Sequence, residues 1–153
     1  MTRGQLYNKF VVMIPSFDEQ TGHLPVGEHA ATWPEVAQRF GWNNHRRRLL
    51  AGLLRMATNL RDAGCVFFLL DGSFVTNKEY PEDYDACCDY EGMDPLKIDP
   101  RMFMGKQIMK AEFGGEVHPE KAFGDVTPLR EFYQTDRNGV AKGVVILDLG
   151  TLP

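Results

Sequence analysis

Two carboxylates one residue apart are the first feature of this sequence that could perform chemistry. Asp83 and Asp85 belong to the segment DYDACCDY (83–90), whose residue pattern predicts a β-strand. Residues two apart on a strand project from the same face, so both carboxylates would point the same way. Carboxylates placed like this can share two Mg²⁺ ions, which activate a hydroxyl for displacement at phosphorus. On a solvent-exposed face, the same pair would have no such role.

A Gly-Ser pair follows a predicted strand upstream of these carboxylates. The apolar run CVFFLL (65–70) is typical of a strand buried on both faces, and Asp71 leads from it into Gly72 and Ser73. Gly72 would let the backbone approach a phosphate, and Ser73 would offer a hydroxyl and an N–H at the start of a short helical turn. The alternative is a two-residue hairpin turn at Asp71-Gly72. We disfavour it because the next residues, SFVTNKEYPED, are too polar to pair with that strand.

The elements that would position these residues alternate between helices and strands. The segment TWPE (32–35) is a capping box with Pro34 in the first turn, which predicts a helix ending near Gly41. An apolar stripe at helical spacing predicts a longer helix over 44–63, with Gly64 as its cap. We also expect strands at 10–14, 115–122 and 142–149, helices at 99–113 and 127–135, and a long loop over 15–31 that covers the site. The pattern predicts an α/β (α+β) layer fold in a single domain over 1–153.

The helix over 44–63 also carries a group of arginines beside its apolar stripe. We expect them to form a solvated basic face. The alternative is that one or two of them reach a polyphosphate or an RNA backbone. The group consists of Arg46, Arg47, Arg48, Arg55 and Arg61.

Composition excludes several classes of protein. The formal net charge of −4 argues against bulk, sequence-independent binding to DNA or RNA, which needs a basic surface. Cys65, Cys87 and Cys88 form no Cys-x-x-Cys pair, and the four histidines are scattered, which argues against a disulfide framework or a structural zinc site. The apolar run FVVMIP near the N-terminus is too short for a signal peptide or a membrane span. We therefore expect a cytoplasmic protein with reduced thiols and no membrane partner.

The order of motifs resembles the nucleotidyltransferase signature of the DNA polymerase β superfamily, in which Gly-Ser after an apolar strand is followed by Asp-x-Asp. More closely, the chain resembles a small group of bacterial and phage-borne nucleotidyltransferase-like proteins. That resemblance covers HLPVGEH (23–29), DGSFVTNKEYPEDYD (71–85), FYQTDRNG (132–139) and KGVVILDL (142–149). It implies a nucleotidyltransferase-like mixed β-sheet flanked by helices. It also implies that Gly72 and Ser73 hold the β- and γ-phosphates of a nucleoside triphosphate (NTP). Asp83 and Asp85 would then bind a pair of Mg²⁺ ions.

Two departures from the superfamily pattern concern individual residues. Members usually carry an arginine soon after Gly-Ser, whereas here Lys78 is the only nearby cation, and we expect it to bind the nucleotide. Members also supply a third carboxylate from a later strand, which helps to deprotonate the acceptor. Glu116 is the preferred candidate because it lies on the next predicted strand, with Asp125 and Asp148 as alternatives.

The resemblance implies one of two functions. The first is Mg²⁺-dependent transfer of a nucleoside monophosphate from an NTP to a hydroxyl of RNA or of a partner protein, in a toxin–antitoxin or phage-defence setting. The second is a catalytically inactive nucleotidyltransferase-fold module that acts as an antitoxin-like partner or a nucleotide sensor. The missing arginine and the open choice of third carboxylate motivate this alternative.

Overall fold

The structure is a computed structural model that describes residues 14–121, 131 and 133–153. Residues 10–13 of the first expected strand and most of the expected helix over 127–135 lie outside this part of the chain. Within it, a mixed sheet and three α-helices confirm the α/β fold class. The strands are β1 (Gly27–Ala31), β2 (Phe68–Asp71), β3 (Tyr84–Cys88), β4 (Gly115–Pro119) and β5 (Gly143–Leu147). The helices are α1 (Trp33–Phe40), α2 (Asn44–Asp62) and α3 (Lys106–Phe113).

The five described strands form one sheet in the order β1-β5-β2-β3-β4. The two outer pairs, β1 with β5 and β3 with β4, are parallel. The central strand β2 is antiparallel to both of its neighbours, β5 and β3. This order brings the end of β2, the start of β3 and the start of β4 together at one end of the sheet.

The two faces of the sheet carry cores of different size. All three described helices contribute to the main core, which includes Leu70 and Ala86 from the central strands. The opposite face carries a smaller cluster, built from Leu69, Cys87 and Val144. The predicted alternation along β3 is therefore confirmed: Ala86 faces the main core and Cys87 faces the other side. Every residue of β2 is buried, but the strand begins only at Phe68, and Val66 of the predicted buried run is 84% exposed.

Short-range signals predicted the first two helices well. Thr32 and Glu35 form the expected capping box, in which the Glu35 backbone N–H donates to Thr32 Oγ1 at 3.3 Å and the Thr32 N–H donates to Glu35 Oε1 at 2.9 Å. Helix α2 begins after Asn43, whose side chain accepts a hydrogen bond from the Arg46 N–H at 2.7 Å. The C-cap residue of α2 is Ala63. Gly64, which the sequence predicted as the cap, is the next residue, and its φ of 106° lets the chain turn away from the helix.

Several element boundaries differ from the sequence-based expectation, and three of them affect residues near the candidate site. The last five residues of the loop expected over 15–31 form strand β1. Their sequence shows little apolar alternation, and they form a strand because they pair in parallel with β5. The helix expected over 99–113 is two pieces, a 3₁₀ turn (Pro100–Phe103) and α3, because Gly105 has a φ of 100° that a right-handed helix cannot contain. Strand β3 begins at Tyr84, so Asp83 lies just before it.

The three cysteines are buried and carry free thiols. Cys65 and Cys88 belong to the main core, whereas Cys87 belongs to the smaller cluster. Of the helices that the structure describes, none is long and apolar enough to cross a membrane.

Candidate functional site

The chain after β2 does not form a two-residue hairpin. Gly72 has φ 90° and ψ −176°, whereas both central residues of a type I′ turn have ψ near 0 to about 30°. A 3₁₀ turn over Ser73–Val75 follows, closed by a hydrogen bond from the Val75 N–H to the Gly72 carbonyl at 3.2 Å. Strands β2 and β3 are antiparallel partners, but residues 72–83 connect them. The hairpin alternative is therefore wrong.

Glycine is required at position 72 by its contact with β3. A Cβ built on Gly72 would lie 3.1 Å from both the backbone N and Oδ2 of Asp85. The backbone conformation of Gly72 is also one that essentially only glycine adopts. Gly72 thus lets the Gly-Ser turn lie directly against the second carboxylate of the Asp-x-Asp pair.

Three carboxylates occupy directly opposite positions on neighbouring strands. Asp71 on β2 pairs with Asp85 on β3, and Asp85 pairs with Glu116 on β4. Residues directly opposite each other project from the same face of a sheet, so these side chains form a row. Asp83 joins it through Lys110, whose Nζ lies 2.7 Å from Asp83 Oδ2 and 3.3 Å from Glu116 Oε2. The structure brings Asp83, Asp85 and Glu116 together, as the sequence analysis expected.

Asp71 is a member of the row that sequence reasoning treated only as a turn residue. The side chain of Asp71 is 4% exposed, and its Oδ1 accepts a hydrogen bond from Lys142 Nζ at 2.7 Å. The sequence does contain a signal that could have identified Asp71 as a site residue. Asp71 directly follows an apolar run, and a carboxylate at the end of a buried strand is expected to be buried as well. Lys142 was missed because it lies 71 residues away in the sequence.

Burial and crowded negative charge together determine the electrostatics of the row. Burial, together with the charges of Asp83, Asp71 and Glu116, raises the pKa of Asp85 to about 6. Burial also raises the pKa of Asp71, while the nearby Lys142 ammonium opposes that shift. A hydrogen bond to Asp83 raises the pKa of Lys110. Two lysines therefore provide the positive charge that the row requires in this structure.

The row lies in a cleft of about 1280 Å³. Thr21 and His23 line it from the 15–31 loop, so this loop borders the cleft. Among the described residues, the acidic side chains that line the cleft outnumber the lysines and arginines by seven to four. The acidic residues are Asp71, Glu82, Asp83, Asp85, Glu116, Glu131 and Asp136, and the basic ones are Lys78, Lys110, Arg137 and Lys142.

Arg46 is an exception to the expected solvated arginine face on α2, where Arg47, Arg48 and Arg55 are exposed. The Arg46 side chain is fully buried and donates hydrogen bonds to the backbone carbonyls of Phe40, Phe74, Thr76 and Lys78. Three of these carbonyls belong to the segment after Gly-Ser, so Arg46 holds that segment in place. Burial lowers its pKa to about 10, which leaves the guanidinium charged at neutral pH. The Lys78 side chain, by contrast, is exposed and lines the cleft.

Two of the segments that carry the family resemblance meet at the rim of the cleft. His23 Nε2 lies 3.0 Å from Asp136 Oδ2, although the two residues are 113 positions apart. The other oxygen of Asp136 accepts hydrogen bonds from the N–H groups of Asn138 and Val140, which shapes the turn around Gly139. The Asn77 N–H donates to the Gly22 carbonyl at 3.0 Å. The 15–31 loop is therefore tied to the Gly-Ser segment and to the 135–142 turn.

The alternatives for the third carboxylate lie elsewhere. Asp125 is outside the described residues. Asp148 accepts a hydrogen bond from the Gly150 N–H at 2.9 Å, caps the last 3₁₀ turn and does not line the cleft. Glu116 Oε1, in turn, lies 3.1 Å from His118 Nε2.

The row has the right ligand type for Mg²⁺, which prefers oxygen and usually takes one or two protein carboxylates. Within residues 14–121, 131 and 133–153, however, no three His, Cys, Asp or Glu side chains converge as a ready-made metal site. The Lys110 ammonium instead lies between Asp83 and Glu116. A divalent cation bound by Asp83 would have to displace the Lys110 ammonium from this carboxylate.

Comparison with known proteins assigns the chain to a family. No curated protein and no solved structure matches it. A family profile described as "Family of unknown function (DUF6932)" matches residues 15–148, which include every candidate site residue named above. Because the match covers most of the 153 residues, the chain belongs to this family of unknown function.

Proposed function

We propose that the protein is a Mg²⁺-dependent nucleotidyltransferase that moves a nucleoside monophosphate from an NTP to a hydroxyl. The observation that carries this proposal is the register of Asp71, Asp85 and Glu116 on three neighbouring strands, directly beside the Gly72-Ser73 turn. The three carboxylates and the proposed phosphate-binding turn line the same cleft.

Each of these residues has a distinct role in the proposed reaction. Asp83 and Asp85 hold Mg²⁺, which neutralises phosphate charge and lowers the pKa of the attacking hydroxyl. Ser73 binds phosphate oxygens of the NTP through its hydroxyl and N–H. The acceptor oxygen forms a bond to the α-phosphorus while the bond from that phosphorus to pyrophosphate breaks. Glu116 accepts the proton that the acceptor hydroxyl loses.

The charge of the cleft supports a requirement for metal. Seven acidic groups against four basic ones would repel a free triphosphate, so the anion needs divalent cations to enter. The Lys110 ammonium, held by Asp83 and Glu116, is the counter-charge that such a cation replaces.

The acceptor in this proposal is a hydroxyl of a partner protein or of a small RNA. The net charge of −4 disfavours an extended RNA backbone, because such a backbone binds best to a basic surface. The resemblance to bacterial and phage-borne nucleotidyltransferase-like proteins favours a toxin–antitoxin or phage-defence pair as the biological setting.

Calorimetric titration with ATP, GTP, CTP and UTP, each with and without Mg²⁺, tests the proposal. We expect Mg²⁺-dependent binding of at least one NTP, and its loss in the double variant Asp83→Asn/Asp85→Asn. Asp148→Asn is the matched control, because this carboxylate caps a turn away from the cleft, and it should bind like the wild type. Transfer of label from the α-phosphate that persists in the double variant would disprove the metal assignment.

The second candidate is a nucleotidyltransferase-fold module that binds a nucleotide or a partner without transfer. The specific observation that favours it is Lys110, whose ammonium already satisfies Asp83 and Glu116. This function predicts that binding survives Glu116→Ala and that no pyrophosphate is released with any acceptor. Pyrophosphate release that is lost in Glu116→Ala would exclude it.

A further inference from the structure

We propose that Lys142 binds the β- and γ-phosphates of the NTP and thereby makes the site selective for triphosphates over monophosphates. This inference rests on the proposed function and identifies the cation that the motif lacks after Gly-Ser. Its basis is the contact between Lys142 and Asp71, the residue that immediately precedes Gly72.

The ammonium of Lys142 is held at the Gly-Ser turn by its position in the sheet. Lys142 directly precedes β5, and Asp71 is the last residue of β2, the strand beside β5. Backbone hydrogen bonds fix the chain on both sides of this contact: the Lys142 N–H donates to the Gln134 carbonyl at 2.9 Å, and the Gly143 N–H donates to the Leu24 carbonyl at 3.0 Å. The side chain of Lys142 is 11% exposed and lines the same cleft as Gly72 and Ser73.

Within the described part of the chain, Lys142 retains donors for a ligand after its contact with Asp71. A lysine ammonium has three N–H donors, and Asp71 Oδ1 accepts one of them at 2.7 Å. Charge-assisted hydrogen bonds from the remaining donors to phosphate oxygens are stronger than neutral ones. A buried ion pair is in itself weak evidence for a stabilising role. Its location in the cleft, beside the Gly72-Ser73 turn, supports a role of the charge in ligand binding.

The other cations near the Gly-Ser segment are arranged differently. Arg46 directs its guanidinium to backbone carbonyls, and Lys110 is bound to carboxylates at the other end of the row. The side chains of Lys78 and Arg137, which also line the cleft, are exposed. Lys142 is therefore the largely buried cation that directly adjoins Gly72-Ser73 within the described part of the chain. An NTP with its α-phosphate at Asp83 and Asp85 would direct its β- and γ-phosphates toward Lys142.

Competition titration in Mg²⁺, with the NTP selected by calorimetry and its monophosphate, tests this inference. The wild type should bind the triphosphate more tightly than the monophosphate. In Lys142→Met this ratio of affinities should fall about ten- to a hundredfold, because one to two charge-assisted hydrogen bonds to the triphosphate are lost. Lys142→Arg should retain most of the preference. Lys106→Met, which removes an exposed lysine at the start of α3, is the matched control and should behave like the wild type.

The outcomes separate this inference from the proposed function. A wild type that binds no NTP overturns both. A wild type that binds NTP, together with a Lys142→Met variant that keeps the full triphosphate preference, overturns the role of Lys142 alone. If Lys142→Met does not fold, the double variant Asp71→Asn/Lys142→Gln replaces the ion pair with a neutral hydrogen-bonded pair. That double variant must show the same loss of preference, and retention of the preference contradicts the inference.

Discussion

At the scale of single residues, the function of this site depends on how its negative charges are compensated. Asp85 lies between two other carboxylates in the row, and Asp83 is a further neighbour. Lys110 and Lys142 compensate the two ends of this group rather than its centre. The centre of the row therefore holds its proton more tightly than an ordinary aspartate does.

Asp85 should give the folded protein a distinctive dependence of stability on pH. Its pKa is raised to about 6 in the folded state, against about 4 in an unfolded chain. Between these two values the folded state binds more protons, so this group's contribution to the free energy of unfolding decreases as pH rises from about 4 to 6. We expect Asp85→Asn to remove that decrease in urea unfolding measured from pH 4.5 to 7.5. The Asp148→Asn control should keep it, and identical profiles for wild type and Asp85→Asn would contradict the prediction.

At the scale of elements, Arg46 connects helix α2 to the segment that follows Gly-Ser. Its guanidinium donates to carbonyls of Phe74, Thr76 and Lys78, and it stacks 3.7 Å from the ring centroid of Trp42. A segment with so little regular structure depends on such side-chain contacts, because its backbone carbonyls have few partners of their own. The conformation of the proposed phosphate-binding turn is therefore set by a helix residue behind it.

Replacing Arg46 with methionine should destabilise the fold by about 3–5 kcal/mol, because several buried carbonyls lose their donor at once. Urea unfolding measures this change. Arg48→Met is the control, since Arg48 is exposed on the same helix, and it should change stability by less than about 0.5 kcal/mol. Equal stabilities for the two variants would show that the Arg46 hydrogen bonds do not hold the segment.

At the scale of the whole molecule, the sheet order assembles the cleft from distant parts of the chain. Three connecting segments line it: the 15–31 loop, the segment after Gly72-Ser73 and the 135–142 turn. The 15–31 loop contacts the Gly-Ser segment through Gly22 and Asn77 and contacts the 135–142 turn through His23 and Asp136. A ligand in the cleft would contact all three connections and would favour the folded state over the unfolded one.

Mg²⁺ with the bound NTP should therefore raise the thermal unfolding midpoint. At a ligand concentration of 100 times Kd the expected stabilisation is about 2.7 kcal/mol, and for a chain of this size that corresponds to a shift of about 5–10 °C. Differential scanning fluorimetry provides the measurement. The shift should disappear when EDTA removes Mg²⁺ and in Asp83→Asn/Asp85→Asn. A shift of the same size in the double variant would place the nucleotide outside the proposed site.

Local sequence signals predicted much of this structure. The capping box at Thr32 and the apolar stripe of α2 depend on residues three or four positions apart, so the sequence alone was enough to predict both helices. The same holds for the buried run of β2 and the alternation of β3. Strand β1 was missed because its pairing with β5, rather than its own composition, makes it a strand.

The sequence by itself determined the Gly72-Ser73 and Asp83-x-Asp85 motifs and the elements that carry them, because both depend on short-range spacing. Only the tertiary structure decided that Asp71, Asp85 and Glu116 form a row, that Lys142 contacts Asp71, and that Arg46 is buried. Strand register and long-range ion pairs are selected by the packing of the whole sheet against its helices. Contacts between residues tens of positions apart leave no periodic pattern in the sequence, so the charge arrangement of the site follows from the fold.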